Sequence, residues 1–240
     1  MKQRIDLLMV TKGLAPTRSQ AQALIMAGQV SANGKRLDKP GVNIDETTEL
    51  HVKDQPKYAS RAGDKLASVA EAFSLDFGGK VVLDVGSSTG GFTDFALQNG
   101  AAKCYCVDVG TGQLSYKLRQ DERVVVMERT DIRSAKLPEL ADMAVMDVSF
   151  ISLEKVLEPT RALVKPGGLI VAMAKPQFEA GKPLADKYRG VIPMGAERDE
   201  VLESLRTWIR ERFEIVTEMD SGLSGAEGNV ERFFLLRNPE

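Results

Sequence analysis

Asp84 closes a run of strand-type residues, Val81-Val82-Leu83, and the chain then turns through Val85-Gly86-Ser87-Ser88-Thr89-Gly90-Gly91 into Phe92-Thr93-Asp94-Phe95. Strand, glycine turn and helix in that order form a cradle in which ligand atoms approach bare backbone and the helix N-terminus faces the ligand. The loop has neither the Gly-Lys-Ser/Thr of a P-loop nor a full Gly-x-Gly-x-x-Gly dinucleotide pattern. An acid immediately before the glycines is awkward for phosphate but suits a ligand with a cationic amino group, such as S-adenosylmethionine. Asp84, Gly86, Ser87, Thr89, Gly90 and Phe92 are the candidate cofactor contacts; a tight structural turn without a ligand is the plain alternative.

Two further acids fall in phase with later strands. Asp108 ends Tyr105-Cys106-Val107-Asp108, about twenty residues past the loop, where an acid can hold ribose hydroxyls. Asp131 follows the third strand and is placed to receive an adenine amino group. Asp147 and Lys175 close the strand-like runs 143–147 and 169–174, so both are expected at the same edge as the loop, Asp147 also within reach of the cofactor.

The elements that must carry these residues are seven apolar runs, 81–85, 104–109, 124–127, 143–147, 169–174, 215–219 and 232–236, most of them separated by helix-length segments. This alternation predicts an α/β fold, a Rossmann-like, doubly wound sheet of seven strands. Ahead of it the pattern differs. Apolar residues recur at helical spacing over 4–9 and 17–26, with Gly13 and Gly28 as stops, and Asn33-Gly34 marks a hairpin turn between short strands. Runs 42–44 and 49–52 add two more strands to this small α+β module. A polar stretch around 54–57 reads as a linker, dividing the chain into 1–56 and 57–240.

Composition narrows the function. The 240 residues carry 32 Lys/Arg against 34 Asp/Glu, net −2, but the first sixty hold nine basic and six acidic residues, so the basic excess is N-terminal and the remainder is net −5. Such asymmetry suits a module that meets a polyanion. No apolar run approaches the ~20 residues of a membrane span, and the N-terminus lacks a secretory core, so no membrane partner and a cytoplasmic setting are expected. Cys104 and Cys106 share one face of a strand with no further Cys or His to complete a site; no metal is expected, and both read as buried thiols. His51 and Trp208 offer nothing catalytic.

The N-terminal module resembles the S4 domain, an RNA-binding fold, through Arg4-Ile5-Asp6, Gly13-Leu14, Thr17-Arg18-Ser19-Gln20-Ala21, the stretch from Leu24 to Lys35, and Lys39-Pro40-Gly41. The resemblance implies that Arg4, Arg18, Gln20 and Lys35 face RNA. From Tyr58 onward the chain resembles the TlyA family, often labelled haemolysin A, which joins an S4 module to a methyltransferase like FtsJ/RrmJ. The matching motifs are Tyr58-Ala59-Ser60-Arg61-Ala62-Gly63-Asp64-Lys65-Leu66, the loop 84–93, Asp147-Val148-Ser149-Phe150-Ile151-Ser152-Leu153, Lys165-Pro166-Gly167-Gly168, Lys175-Pro176-Gln177-Phe178-Glu179 and Gly228-Asn229-Val230-Glu231.

This second resemblance implies S-adenosylmethionine-dependent 2′-O-methylation of ribose, of cytidine in ribosomal RNA, with ribosomal RNA or subunits as partner. It also implies a Lys-Asp-Lys-Glu tetrad at Lys65, Asp147, Lys175 and Glu231. A ribose hydroxyl is a poor nucleophile, so a group must take or polarise its proton as it attacks the methyl; Lys175 is the candidate. Phe150 and Phe178 are candidates either for stacking on a flipped-out base or for the core. Taken alone, Lys65 would be a solvated helix lysine. Ala62, Asp64 and Ile192-Pro193-Met194 depart from the family pattern. Two other readings stand beside this one: an RNA-binding or assembly factor that keeps the fold without turnover, and a haemolysin.

Overall fold

The computed structural model describes residues 1–53, 57–225 and 227–239, so the expected linker at 54–57 falls mostly outside the described residues. The chain divides into two compact units, Met1–Gln55 and Pro56–Glu240.

In the first unit, α1 (Ile5–Thr11) and α2 (Arg18–Met26) follow a short strand β1 (Lys2–Arg4). Thr17 caps α2 by accepting the Gln20 amide, and Gly13 and Gly28 adopt the left-handed backbone that ends each helix. Strands β2 (Val30–Ala32) and β3 (Lys35–Leu37) form the expected hairpin, with Asn33 and Gly34 both at positive φ as a two-residue turn requires. A further pair, β4 (Asn43–Asp45) and β5 (Leu50–Val52), completes the module: β5 joins β2, and β4 pairs with β1. Periodicity did not predict β1, because a three-residue strand running directly into a helix leaves no alternation to read. The core of this unit is Ile5, Leu8, Met9, Ala21, Ile25 and Val30.

The second unit is a seven-stranded sheet. Its strands are β6 (Val81–Val85), β7 (Lys103–Asp108), β8 (Val124–Glu128), β9 (Ala141–Met146), β10 (Val164–Ala174), β11 (Glu214–Asp220) and β12 (Arg232–Arg237), in the order β11-β12-β10-β9-β6-β7-β8. Every neighbouring pair is parallel except the two made by β12, which runs antiparallel to both β10 and β11. All seven predicted runs are strands. Asp147 lies one residue beyond β9, and β10 starts five residues early, at Val164, with a register shift before Leu169 where Pro166-Gly167-Gly168 bends the strand.

Both faces of the sheet are buried, which is why its strands read as continuous apolar runs. Val82, Cys104, Cys106, Val145, Val171 and Phe233 face α3 (Arg61–Ala70) and α4 (Gly91–Gln98). The alternate residues, including Leu83, Tyr105, Ala144, Ile170 and Phe234, face α6 (Leu157–Arg161) and α9 (Ala196–Arg210). The thiols of Cys104 and Cys106 are free and buried, and burial pushes both well above the usual thiol range. Winding goes outward from β6 to β7 and β8, then crosses back to β9 on the other side of β6. At that reversal the strand ends diverge and leave a crevice, the place where open α/β sheets bind ligands.

Candidate active site

The crevice between β6 and β9 holds the predicted loop. Gly86 has φ +80°, and a Cβ there would lie 2.7 Å from the Asp147 carbonyl oxygen, so only glycine lets the two strand ends approach this closely. Gly90, at φ +92°, precedes α4 as its N-cap. Ser87 and Phe92 are buried, while Ser88 and Thr89 are exposed at the turn.

Asp84 is 1% exposed and accepts a hydrogen bond of 2.6 Å from Thr93 Oγ1 on α4. Its other oxygen is buried without a hydrogen-bond partner, and the residue borders a cavity of about 80 Å³ with Ser60, Gly86, Gly91 and Asp147. Burial pushes the carboxyl up to about 7; the Thr93 bond opposes that, and the nearby Asp147 adds to it. A buried acceptor without a partner costs free energy until something supplies a donor or a positive charge.

Next to it runs a larger groove of about 490 Å³, with Val109, Ile132, Val148 and Ile151 as apolar walls and Asp108 and Asp131 at its polar end. Asp108 accepts from the backbone amides of Ser88 (2.8 Å) and Gly110 (2.7 Å), so it ties the glycine loop to the loop after β7. Asp131 is gripped by the Arg133 side chain, Nε at 2.9 Å and Nη2 at 2.6 Å, which holds its carboxyl down to about 2. The sequence showed neither of these internal engagements, although the two acids stand at the strand ends as expected.

A third cavity, about 510 Å³, is lined by Lys65, Ser149, Phe150, Lys175, Gln177 and Glu231 among others. Here the four tetrad candidates form two pairs. Lys65 Nζ donates to Glu231 Oε1 at 2.6 Å, with both side chains nearly buried. Lys175 Nζ lies 2.6 Å from Asp147 Oδ1 as an ion pair, while its hydrogen bond goes to Ser149 Oγ at 2.8 Å. Lys65 is therefore not a solvated surface lysine. Gly63, two residues earlier in α3, lets this helix close on α4, because a Cβ there would meet the Gly91 carbonyl oxygen at 2.8 Å. Ala62 and Asp64 do not prevent this.

Phe150 is 90% exposed, at φ +62°, and its ring lies 5.0 Å from that of half-buried Phe178. The core reading of Phe150 is thereby excluded. Ser149 and Phe150 line both the groove and the third cavity, so the two spaces adjoin at that point.

Several supporting residues carried no sequence signal. Arg198 on α9 is 1% exposed, donates to the Val230 carbonyl at 3.1 Å and pairs with Asp220, so it holds the segment that presents Glu231. Asn229, 3% exposed, accepts from the Ile192 amide (2.9 Å) and donates to the Gly190 carbonyl (2.7 Å), fastening the segment with the unusual Ile192-Pro193-Met194 to that loop. No cluster of metal-ligating side chains occurs among the described residues.

In the first unit, Arg4 and Arg18 both converge on the fully buried Asp6, at 2.8 and 2.9 Å, and Gln22 donates to the same oxygen. Arg4 foremost, with Gln22 and Arg18, holds the Asp6 carboxyl far below the usual range. Each arginine keeps about half of its side chain exposed, 41% and 51%. Gln20 is exposed at the first turn of α2, and Lys35 is exposed at the hairpin. The structure thus joins Arg4 to Arg18 through Asp6, a link that a twelve-residue separation does not show.

Residues 58–238 match the FtsJ-like methyltransferase family and residues 3–50 match the S4 domain. The Bacillus subtilis protein YqxC, whose name is that of an rRNA methyltransferase, is 46% identical over 98% of this chain and 85% of its own. The Mycobacterium tuberculosis protein named 16S/23S rRNA (cytidine-2′-O)-methyltransferase TlyA is 40% identical, covering 98% and 89%. A solved structure from Streptococcus thermophilus that bears a hemolysin name superposes with a TM-score of 0.74 at 40% identity over 100% of this chain and 89% of that one. The fold is also that of the N-methyltransferase NodS from Bradyrhizobium japonicum in complex with S-adenosylhomocysteine, with a TM-score of 0.54 at 19% identity over 78% and 90%. The chain belongs to the FtsJ-like methyltransferase family, with an S4 domain preceding the catalytic fold.

Proposed function

We propose that this protein methylates a ribose 2′-hydroxyl of ribosomal RNA, with cytidine as the acceptor and S-adenosylmethionine as the donor. The carrying observation is Lys175, held between Asp147 and Ser149 in the cavity of Phe150, Lys65 and Glu231, which adjoins the groove of the glycine loop. The mycobacterial relative's name supports the choice of cytidine and ribosomal RNA.

The residues present fit the donor. Asp84 leaves a buried oxygen unpaired beside the glycine turn, which suits an ammonium; the apolar groove with Asp108 and Asp131 suits an adenosine. Ser87, Thr89, Gly90 and Phe92 complete the turn around it. When bound, the donor supplies a methyl group on a sulfonium, an electrophile that needs no metal.

The chain's own residues then do three things. Lys175 takes or polarises the hydroxyl proton, with its Nζ fixed from two sides by Asp147 and Ser149. Lys65 and Glu231, hydrogen-bonded to each other, line the same cavity as Lys175. Phe150, with Phe178, offers an exposed aromatic face to the acceptor base. Much of the acceleration comes from alignment, because attacking oxygen, methyl and leaving sulfur must be collinear.

Residues 1–56 serve as the RNA-gripping module, through Arg4, Arg18, Gln20 and Lys35, and residues 57–240 carry out the transfer. No helix among the described residues is long and apolar enough to cross a membrane, and a ribosomal substrate assigns the work to the cytoplasm. Two formed ion pairs at the tetrad favour turnover over a fold retained only for binding.

The test is incubation with methyl-labelled S-adenosylmethionine and ribosomal subunits, followed by nucleoside mass spectrometry. Label on a ribose, lost in Lys175→Ala while S-adenosylhomocysteine still binds, is expected. Absence of both ribose label and cofactor binding in the wild type refutes the proposal.

A further inference from the structure

Phe150 is held in a backbone conformation that its own packing does not explain. Its φ of +62° lies in the left-handed region, which an aromatic residue rarely adopts, and its ring is 90% exposed. Such strain persists only where neighbouring contacts over-determine the backbone, and it gathers at ligand clamps. The contacts that reach this loop from across the crevice come from Lys175 and the short turn after it, α7 (Pro176–Glu179).

Three ties run in the same order along both segments. Lys175 Nζ bonds Ser149 Oγ at 2.8 Å, the Phe178 ring lies 5.0 Å from that of Phe150, and Glu179 Oε1 accepts the Leu153 backbone amide at 3.0 Å. The turn itself is closed by the Phe178 and Ala180 amides, which donate to the Lys175 and Pro176 carbonyls at 2.8 and 2.9 Å, and buried Pro176 fixes its start. Lys175 Nζ also stands 6.0 Å from the centroid of the Phe178 ring, so the proton-handling group and the aromatic face share this turn. The proposed function uses the first two ties. The third is made by a carboxylate that lines none of the three cavities.

We propose that Glu179 is a positioning residue for the methyl transfer: by holding the Leu153 amide it braces the Phe150 loop on the Lys175 turn, and so fixes the stacking face relative to the group that takes the proton. This inference rests on the ribose methylation proposed above and adds to it the contact that keeps two of its parts in register. A base stacked on Phe150 delivers its ribose hydroxyl to Lys175 only while ring and ammonium keep their spacing, and a misplacement of about 1 Å costs on the order of a hundredfold in rate. Without the carboxylate, the Leu153 amide loses its acceptor, and the lysine and ring contacts alone join the turn to the loop. Val148 and Ile151, which wall the donor groove, pack against the core by themselves, so the donor site does not depend on this brace.

The test compares Glu179→Leu and Glu179→Gln with wild type on ribosomal subunits, and repeats Glu179→Leu in a Phe150→Ala background. Burial pushes the Glu179 carboxyl up, so its surroundings admit the apolar leucine, which accepts no hydrogen bond. Glu179→Leu is expected to lower kcat/KM for the RNA by about tenfold, the worth of one stacking contact, while S-adenosylhomocysteine affinity stays within a few fold. Glu179→Gln, whose carbonyl still accepts from Leu153, stays within about threefold of wild type. Added to Phe150→Ala, Glu179→Leu costs less than about threefold more, because the ring that it positions is gone. An unchanged kcat/KM in Glu179→Leu, losses that multiply in the double variant, or a Gln variant as impaired as the Leu variant overturns the assignment. Should Glu179→Leu fail to fold in thermal melts, the Gln variant decides: activity near wild type upholds the brace, and a loss of about tenfold overturns it. Failure of the wild type to label ribose is a separate result: it overturns the methylation reading, and this inference with it.

Discussion

Lys65 and Glu231 are 166 positions apart in the chain, yet the lysine Nζ donates to the carboxylate at 2.6 Å with both side chains nearly buried. Removing one partner leaves the other buried and unpaired, which costs about 3–5 kcal/mol. Glu231→Ala is therefore expected to lower stability by that order in urea denaturation and to abolish methyl transfer. The double substitution Lys65→Met with Glu231→Leu should regain most of the stability without the activity. Recovery of activity in the double variant would show that the pair is structural only.

Asp84 is expected to set a pH dependence on cofactor binding. Its carboxyl is raised from the ordinary 3.8 to about 7, so the cofactor-free protein holds a proton there over that interval, and an ammonium ligand must displace it. Affinity for S-adenosylhomocysteine should rise by up to ~tenfold per pH unit as pH climbs toward 7 and level off above it. Stability of the cofactor-free protein runs the other way. The folded state binds the extra proton, so stability falls as pH rises between 3.8 and about 7, and Asp84→Asn removes that component. Calorimetric titration at pH 6, 7 and 8 decides it; a flat affinity profile rules this role out.

Gly86→Ala combines a strained backbone, about 1–3 kcal/mol for a side chain at positive φ, with a Cβ pressed 2.7 Å from the Asp147 carbonyl. Relief requires the ends of β6 and β9 to move apart, which displaces the cradle. The expected result is a folded protein, by circular dichroism, whose S-adenosylhomocysteine affinity falls at least tenfold. Wild-type affinity in this variant would mean that the ligand does not use the turn.

Phe150→Ala separates function from folding. At 90% exposure the ring contributes little to the core, so stability should change by no more than ~0.5 kcal/mol. Loss of one base-stacking contact should lower kcat/KM for the RNA by roughly tenfold or more. Cofactor affinity should be unaffected; a stability loss with normal RNA kinetics would reverse the assignment.

In the S4 unit, Lys35 and Arg18 should behave differently. Lys35 is exposed on the hairpin, so Lys35→Ala should weaken RNA binding evenly across sequences and reduce the salt slope by about one, with no stability change. Arg18 also neutralises buried Asp6, so Arg18→Ala should weaken RNA binding and destabilise the unit together. Filter binding across a salt series, paired with thermal melts, distinguishes the two.

The sequence alone determined most of the scaffold, and for a physical reason: a sheet buried on both faces demands continuous β-branched and apolar runs, and those runs are local. The glycine loop was legible for the same reason, since a strand, a turn needing positive φ and a helix are neighbours in the chain. The phase of Asp84, Asp108 and Asp147 against the strand ends followed from it. What only the tertiary structure decided depends on strand order. Because β9 lies beside β6 rather than beside β8, Asp147 meets the loop, and because β12 inserts next to β10, Glu231 arrives opposite Lys65. Burial was likewise invisible beforehand: Lys65 looked like a solvated lysine, Phe150 like a candidate for the core, and Arg198 and Asn229 like ordinary polar positions. Each is defined by contacts across tens to hundreds of residues, where periodicity carries no information and only packing does.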